Sequence, residues 1–225
     1  MKSLRENVVS LIIGLMLVLA FLIAIRLFVE TRYIPSQSMI PTLQINDRVI
    51  LEKISCWTKQ FNRGDIITFY PPPIEMGGHE LSSDPLVLMG RLTGLPCFPN
   101  EVAFIKRVIG VPGDTIEIKS GVGVFVNGKL LEENYVSEKP EYDLKVLGDI
   151  KGRNTYGEDI QPFASPELCD KPIVIPDGQL FVMGDNRNCS EDSHVYGPVD
   201  QNRIVGKAFI KIWPKLEIMT PDQTR

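Results

Sequence analysis

Ile34-Pro35-Ser36-Gln37-Ser38-Met39-Ile40-Pro41-Thr42 divides this chain into two parts with different residue patterns. A long apolar run precedes the stretch, and short apolar segments separated by turn residues follow it. Each proline fixes its own φ and biases the residue before it toward an extended conformation, so we expect Pro35 and Pro41 to hold the stretch extended. Ser36 and Ser38 would then share one face. They are either a nucleophile with a helper or two solvated serines.

The run before this stretch is uncharged from Val8 to Ile25, and Leu27–Val29 extend it beyond Arg26. A helix that rises ~1.5 Å per residue spans a bilayer core about 30 Å thick with this length, and Arg26 can reach the interface. A cleaved secretory signal is the alternative, but its apolar region is usually about 7–15 residues long and ends at a small-residue site. We therefore predict an uncleaved anchor at 8–29, after a short terminus at 1–7. Charges on its two sides indicate its orientation only weakly.

Residues 30–225 carry the pattern of an all-β domain. Short apolar or alternating runs recur between Gly, Pro and Asn-Gly turn signals, and amphipathic helical periodicity is almost absent. Strands are predicted at 48–53, 66–70, 104–110, 115–119, 173–175, 179–183 and 204–213, with a hairpin at 124–130. Two insertions interrupt them, at about 74–100, with a short helix near 86–92, and at 138–172. The predicted fold class is all-β, mainly antiparallel, with one N-terminal transmembrane helix.

Composition excludes several classes of function. The net charge of −4 and the lack of a basic cluster argue against nucleic-acid binding. Two histidines, His79 and His194, are too few for a histidine-rich metal site, and no metal or cofactor is predicted. The cysteines lie far apart without a C-x-x-C pair, which argues against zinc and thioredoxin-type sites, whereas disulfides stay open. They are Cys56, Cys97, Cys169 and Cys189.

A serine nucleophile needs a base, and the sequence offers two candidates. His194 lies two residues after Asp192, so a Ser-His-Asp arrangement stays open. Lys106 lies inside the apolar strand at 104–109, and alternation places Arg107 on the opposite face. Burial can lower a lysine pKa from ~10.4 by ~3–5 units, which would make Lys106 a base near neutral pH. A lysine that reaches solvent from an edge strand is the alternative.

Four segments of the chain occur together in a specific order. They are Ile-Pro-Ser-x-Ser-Met-x-Pro-Thr-Leu at 34–43, Arg-Gly-Asp-Ile followed by Phe at 63–69, Lys-Arg-Val-Ile-Gly-Val-Pro-Gly-Asp at 106–114 and Gly-Asp-Asn-Arg-Asn-x-Ser-x-Asp-Ser at 184–193. This set, after an N-terminal anchor, resembles the type I signal peptidases, which are membrane-bound Ser-Lys endopeptidases. One Ser-x-Ser is weak evidence, but the four segments together are very specific. They cover most of the chain outside the two insertions.

The resemblance implies a signal-peptidase-like β-fold and a role for each motif residue. Ser38 would be the nucleophile, and Lys106 the general base that takes its proton and later protonates the leaving amine. The Ser38 N–H and the Ser36 hydroxyl would form the oxyanion hole. Ser190 would hydrogen-bond the lysine amine and orient it. The polar scaffold behind the site would consist of Asp185, Asn186, Arg187, Asp192 and Arg107.

Two positions depart from the commonest family pattern. Gln37 replaces a frequent glycine between the serines, which makes this loop stiffer and bulkier. His194 stands where many members have arginine, and an arginine could not replace a catalytic base. Asp-Ser-His-Val-Tyr-Gly at 192–197 and Glu-Glu-Asn-Tyr at 132–135 look more like the cyanobacterial and thylakoidal branch. The two insertions match no version of the pattern.

The resemblance implies a membrane-anchored serine endopeptidase that removes N-terminal signal peptides from exported preproteins. Its substrates would carry small residues at the −3 and −1 positions, and its anchor would lie in the lipid bilayer of a plasma (inner) or thylakoid membrane. The N-terminus would be cytoplasmic and the catalytic domain on the trans side. Two other classes stay open. Self-cleaving repressors share the dyad but are soluble, and intact Ser38, Lys106 and Ser190 argue against a catalytically silent, membrane-tethered binding module.

Overall fold

The computed structural model describes residues 2–72, 81–93, 97–99, 101–142, 144 and 172–219. It begins with one long helix, α1 (Lys2–Phe28), and Val29 is the first residue of a strand rather than the last of the apolar run. The segment Glu6–Phe28 is long and apolar enough to cross a membrane, and it is not buried against the rest of the protein. Length and composition alone would also fit a signal sequence near the N-terminus.

Two antiparallel sheets follow α1 in the described residues. The larger sheet consists of β1 (Val29–Tyr33), β2 (Arg48–Glu52), β3 (Ile66–Phe69), β4 (Phe104–Gly110), β9 (Gln179–Met183), β10 (Val199–Asp200), β11 (Ile204–Trp213) and β12 (Glu217–Ile218). Its order is β1-β2-β11-β3-β4-β9-β10, and β12 pairs with β11. The smaller sheet consists of β5 (Thr115–Lys119), β6 (Gly123–Val126), β7 (Lys129–Leu130) and β8 (Ile173–Val174), in the order β7-β6-β5-β8.

Strand β4 lies inside the larger sheet, between β3 and β9. Every residue from Ile105 to Gly110 is buried, which explains why the sequence of this strand is nearly continuously apolar. Ile105, Val108 and Ile109 each belong to a different cluster of buried apolar side chains. The strand therefore carries its polar residues into the interior of the domain.

The structure confirms the predicted fold class and each predicted strand, with small shifts at the ends. The hairpin at 124–130 divides into β6 and β7 at Asn127-Gly128, where φ is 52° and 76°, as a tight turn with two positive φ angles requires. The helix predicted near 86–92 is α3 (Pro85–Thr93). Most of the insertion at 138–172 lies outside the described residues, as do His79 and Cys169. Cys56, Cys97 and Cys189 carry free thiols.

The sequence did not predict five of the short elements. They are β1, β10, β12, the helix α2 (Ile54–Thr58) and the helix α4 (Ser193–Tyr196). Each has at most five residues, and no continuous apolar run marks it in the sequence. The three strands among them, β1, β10 and β12, form by pairing with a neighbouring strand, and their own residue pattern does not identify them.

Candidate active site

The segment at 34–42 joins β1 to β2 as a compact series of bends and turns, so the prediction that it is extended is wrong. The Ile40 N–H donates to Gln37 O at 3.2 Å, and the Leu43 N–H donates to Met39 O at 2.9 Å. Met39 and Leu43 are completely buried in the apolar cluster on one face of the larger sheet. Burying two large side chains stabilises a chain by several kcal/mol (about 1.5–3 kcal/mol each), more than the local preference of the prolines.

This turn places Ser38 beside Lys106 of β4. Lys106 Nζ donates a hydrogen bond to Ser38 Oγ at 2.7 Å. Both residues are buried, with exposed fractions of 7% for Ser38 and 4% for Lys106. Ser36 is exposed, and its Oγ lies 3.3 Å from Ser38 Oγ. A buried hydroxyl in contact with an amine is the geometry that a nucleophile and a general base require.

Burial also gives Lys106 the chemistry of a base. It lowers the pKa of the amine from 10.5 to about 8, although the negative charges of Asp192, Glu191 and Asp185 act in the opposite direction. An ordinary lysine is almost wholly protonated at neutral pH. At a pKa of about 8, about one tenth of the amine is neutral at pH 7 and half at pH 8. Lys106 can therefore accept a proton under mild conditions.

The opposite face of β4 carries a buried ion pair between Arg107 and Asp185. Arg107 donates from Nε to Oδ1 at 2.8 Å and from Nη2 to Oδ2 at 2.6 Å. Its Nη1 donates to Gly64 O at 3.0 Å, and its guanidinium lies 3.9 Å from the centroid of the Tyr135 ring. The Thr42 hydroxyl donates to Asp185 Oδ2 at 2.5 Å. This pair joins the end of the Ser38 turn to the loops before β3 and after β9.

The loop after β9 contacts the Ser38 turn directly through Asn186. The Asn186 N–H donates to Ser38 O at 3.0 Å, and its side-chain amide donates to Gln37 O at 3.2 Å. A Cβ at Gly184 would lie 2.4 Å from Ser38 O and 2.3 Å from Ser190 Oγ. Only glycine allows the two segments to come this close.

Asp192 is completely buried and accepts hydrogen bonds from two residues of the loop after β9. Its Oδ2 accepts from the Gly184 N–H at 2.8 Å and from the Ser190 hydroxyl at 2.7 Å. Burial raises the pKa of this carboxyl, but His194, Lys106 and the Gly184 N–H together lower it below its usual value. Within the described residues no hydrogen bond joins Ser190 to Lys106, so the lysine-orienting role of Ser190 stays a prediction.

His194 belongs to the surroundings of Asp192. Its Nδ1 lies 2.6 Å from Asp192 Oδ1, and its ring stacks on Tyr142 with centroids 4.2 Å apart. No hydrogen bond connects His194 to Ser38 in the part of the chain that the structure describes. The Ser-His-Asp alternative therefore lacks the contact between nucleophile and base on which it depends.

Several contacts near the site were not predicted from the sequence. Arg187 forms a buried ion pair with Glu133, with Nη1 2.8 Å from Oε2, and Glu133 accepts from the Tyr135 hydroxyl at 2.8 Å. Glu133, which accepts these hydrogen bonds, and Tyr135, whose ring lies against Arg107, belong to the Glu-Glu-Asn-Tyr segment. The sequence drew attention to this segment only through its family resemblance. Among the described residues no group of His, Cys, Asp and Glu side chains could hold a metal ion.

Comparisons with known proteins show what this chain is similar to. The family model described as signal peptidase, peptidase S26, matches residues 5–213. Signal peptidase I of Leptolyngbya laminosa is 40% identical over 203 residues, which cover 90% of this chain and 77% of that protein. Probable signal peptidase I-2 of Synechocystis sp. is 39% identical over 206 residues, covering 90% and 73%. Thylakoidal processing peptidase 1 of Arabidopsis thaliana is 31% identical over 189 residues, covering 84% and 43%. The predicted resemblance, including its branch, is confirmed.

Proposed function

The chain belongs to the signal peptidase family, peptidase S26, and we propose that Ser38 and Lys106 form its catalytic dyad. It is a serine endopeptidase that cleaves signal peptides from preproteins, and its N-terminal apolar helix is consistent with membrane anchoring. The observation that carries the dyad is the buried hydrogen bond of 2.7 Å between Lys106 Nζ and Ser38 Oγ. The lowered pKa of Lys106 supports the same assignment.

In the first half of the proposed reaction, the neutral amine of Lys106 takes the proton of Ser38 as Oγ attacks the carbonyl carbon of the scissile peptide bond. The tetrahedral intermediate collapses when the protonated amine gives this proton to the leaving nitrogen. The mature protein leaves with a new N-terminus, and the signal peptide remains as an ester of Ser38. Lys106 then takes a proton from water as the water oxygen attacks the carbonyl carbon of this ester. The protonated amine gives that proton to Ser38 Oγ as the ester bond breaks, which releases the signal peptide as a free acid.

The oxyanion of both intermediates would be bound by the Ser38 N–H and the Ser36 hydroxyl. Asn186 supports this arrangement, because its side-chain amide holds the Gln37 carbonyl at 3.2 Å. In a trans peptide the C=O and the following N–H point in opposite directions, so the Ser38 N–H is directed away from Asn186. Removing one oxyanion donor typically lowers the rate by about 10²–10³-fold.

The polar scaffold comprises Arg107, Asp185, Asn186, Arg187 and Asp192, whose contacts join the Ser38 turn, β4 and the loop after β9. We propose the cytoplasmic side for the N-terminus and the trans side of a plasma or thylakoid membrane for the catalytic domain, because signal peptides are cleaved just beyond the bilayer. By family resemblance, the substrates carry small side chains at −3 and −1.

The test is cleavage of a preprotein with a signal peptide that ends in Ala-x-Ala, followed by sequencing of the new N-terminus. Wild type should cut once after the final alanine, and Ser38→Ala should not cut at all. Ser137→Ala, an exposed serine in a loop, is the matched control and should cut as wild type does. Full activity of Ser38→Ala would show that Ser38 is not the nucleophile.

A further inference from the structure

Helix α3, within the first insertion, exposes only apolar residues among those whose side chains the structure describes. At 100° per residue, its exposed residues fall on a continuous arc of about 160°. They are Pro85, Leu86, Leu88, Met89 and Leu92, and the exposed fractions of the four larger side chains are 57%, 46%, 42% and 53% in chain order. A helix on the surface of a soluble domain normally turns its polar face to water. The pattern in α3 is inverted.

The inward face of α3 is held firmly against the domain. Gly90 is buried, and a Cβ there would lie 2.3 Å from Pro99 O, so the helix packs directly on backbone. Arg91 is directed inward, where Nη2 binds Glu101 Oε1 at 2.6 Å and the guanidinium lies 5.3 Å from the Tyr70 ring centroid. The charged side chain of α3 thus faces protein, and its leucines face outward.

This face continues into the end of the apolar helix α1. Helix α3 packs against α1. At the end of α1, Phe28 meets Trp57 of α2 edge to face at 5.0 Å, and Trp57 and Ile54 are 57% and 53% exposed. Lys53, the residue before α2, connects β1 with α3, because its Nζ lies 2.6 Å from Glu30 Oε2 and 3.5 Å from Arg91 O. We call the exposed apolar residues of α2 and α3 the α2–α3 surface: Ile54, Trp57, Leu86, Leu88, Met89 and Leu92.

We propose that the α2–α3 surface lies in the interfacial layer of the bilayer that α1 crosses, with lipid acyl chains as its partner. The inference rests on the membrane anchoring of α1, with which this surface is continuous. A tryptophan at the end of a spanning helix is typical of the membrane–water interface, and leucine-rich helix faces partition there by burying apolar area. Two membrane contacts, α1 and α3, fix the tilt of the catalytic domain more firmly than α1 alone would.

The experiment places a fluorescent probe on α3. Trp57→Phe and Trp213→Phe remove both native tryptophans, and Leu92→Trp is added to the full-length protein. It is reconstituted in phosphatidylcholine–phosphatidylglycerol vesicles with either ordinary or brominated acyl chains. We expect brominated lipid to reduce the emission by at least about twofold. Val122→Trp, in the turn between β5 and β6 of the smaller sheet, is the matched control, and its emission should stay unchanged.

Two readouts keep the outcomes distinct. Cleavage of a short soluble peptide reports folding, and Met89→Trp replaces Leu92→Trp if the latter misfolds. Resistance of the protein to carbonate extraction reports insertion of α1. Equal emission in both lipids, with α1 inserted and peptide cleavage intact, would overturn the proposal and leave the proposed function standing. Release of the protein by carbonate would overturn the anchoring and this proposal together, again without touching the dyad.

Discussion

Lys106 and Arg107 are consecutive residues of β4, both buried, yet their surroundings differ. Arg107 has a bidentate carboxylate, a backbone carbonyl and the face of an aromatic ring. The side chain of Lys106 has a single hydrogen bond among the described residues, to Ser38 Oγ, and its Nζ lies 5.6 Å from the centroid of the Phe104 ring. Because no described carboxylate forms an ion pair with the lysine amine, burial lowers the pKa of Lys106 to about 8. One face of the strand thus carries Arg107 as a charged structural residue, and the other carries Lys106 as a base.

The first prediction removes the base. Lys106→Met should lower the rate of preprotein processing by at least about 10³-fold, because among the described residues no other base contacts Ser38 Oγ. Lys207→Met is the control: Lys207 lies on β11 and is 3.6 Å from Asp65, and its loss should change the rate by less than about twofold. Both are measured on gels with equal amounts of folded protein. Retention of a tenth of wild-type activity by Lys106→Met would point to a different base.

The second prediction removes the buried guanidinium of Arg107. Arg107→Met should lower the free energy of unfolding by about 3–5 kcal/mol, because it leaves the carboxylate of Asp185 buried and unpaired. Arg63→Met breaks the pair with Asp114, in which the arginine side chain is 43% exposed, and should cost less than about 1 kcal/mol. Urea unfolding in detergent, followed by circular dichroism, measures both variants. An equal decrease in unfolding free energy in both variants would mean that the burial of the Arg107–Asp185 pair does not contribute to its effect on stability.

The third prediction concerns the stability cost of the base. A shift of the Lys106 pKa from 10.5 to about 8 corresponds to about 3 kcal/mol of destabilisation below pH 8. Between pH 8 and 10.5 the unfolded chain binds more protons than the folded one, so wild-type stability rises with pH. Lys106→Met should therefore raise the unfolding free energy by up to about 3 kcal/mol at pH 7, with a difference that vanishes toward pH 10.5. A variant less stable than wild type at pH 7 would contradict this account.

The fourth prediction concerns the pH dependence of the processing rate, which should follow the titration of the Lys106 amine. Below pH 8 the processing rate at low substrate concentration should rise about tenfold per pH unit, and it should level off above the pKa of Lys106. Glu191 raises the pKa of Lys106, so Glu191→Gln should move the midpoint to lower pH. Glu117→Gln, in the smaller sheet, should leave it in place. A midpoint that stays constant in Glu191→Gln would argue that another group titrates.

The smallest effect is expected at His194. An arginine can pair with the carboxylate of Asp192, which His194 contacts through Nδ1 at 2.6 Å, so His194→Arg should process preprotein within about twofold of the wild-type rate. Processing rate and circular dichroism are measured side by side. A folded but inactive variant would favour a Ser-His-Asp mechanism over the Ser-Lys dyad.

Local patterns predicted most of the fold. Continuous apolar residues identified β4, and Asn127-Gly128 identified the hairpin turn, because such signals depend only on neighbouring residues. The segment at 34–42 shows the limit of this approach. Its prolines indicated an extended conformation, yet burial of Met39 and Leu43 folds it into turns. Short strands such as β10 also escaped prediction, because their partners lie elsewhere in the chain.

The sequence by itself determined which groups are available for chemistry: two serines after an apolar helix and a lysine within an apolar strand. The tertiary structure alone decided that Lys106 loses its solvent and meets Ser38, 68 residues away in the chain. It also decided that Asp185 pairs with Arg107 and not with Lys106. The physical reason is that a pKa depends on burial and on charges brought close by folding, which no local residue pattern contains.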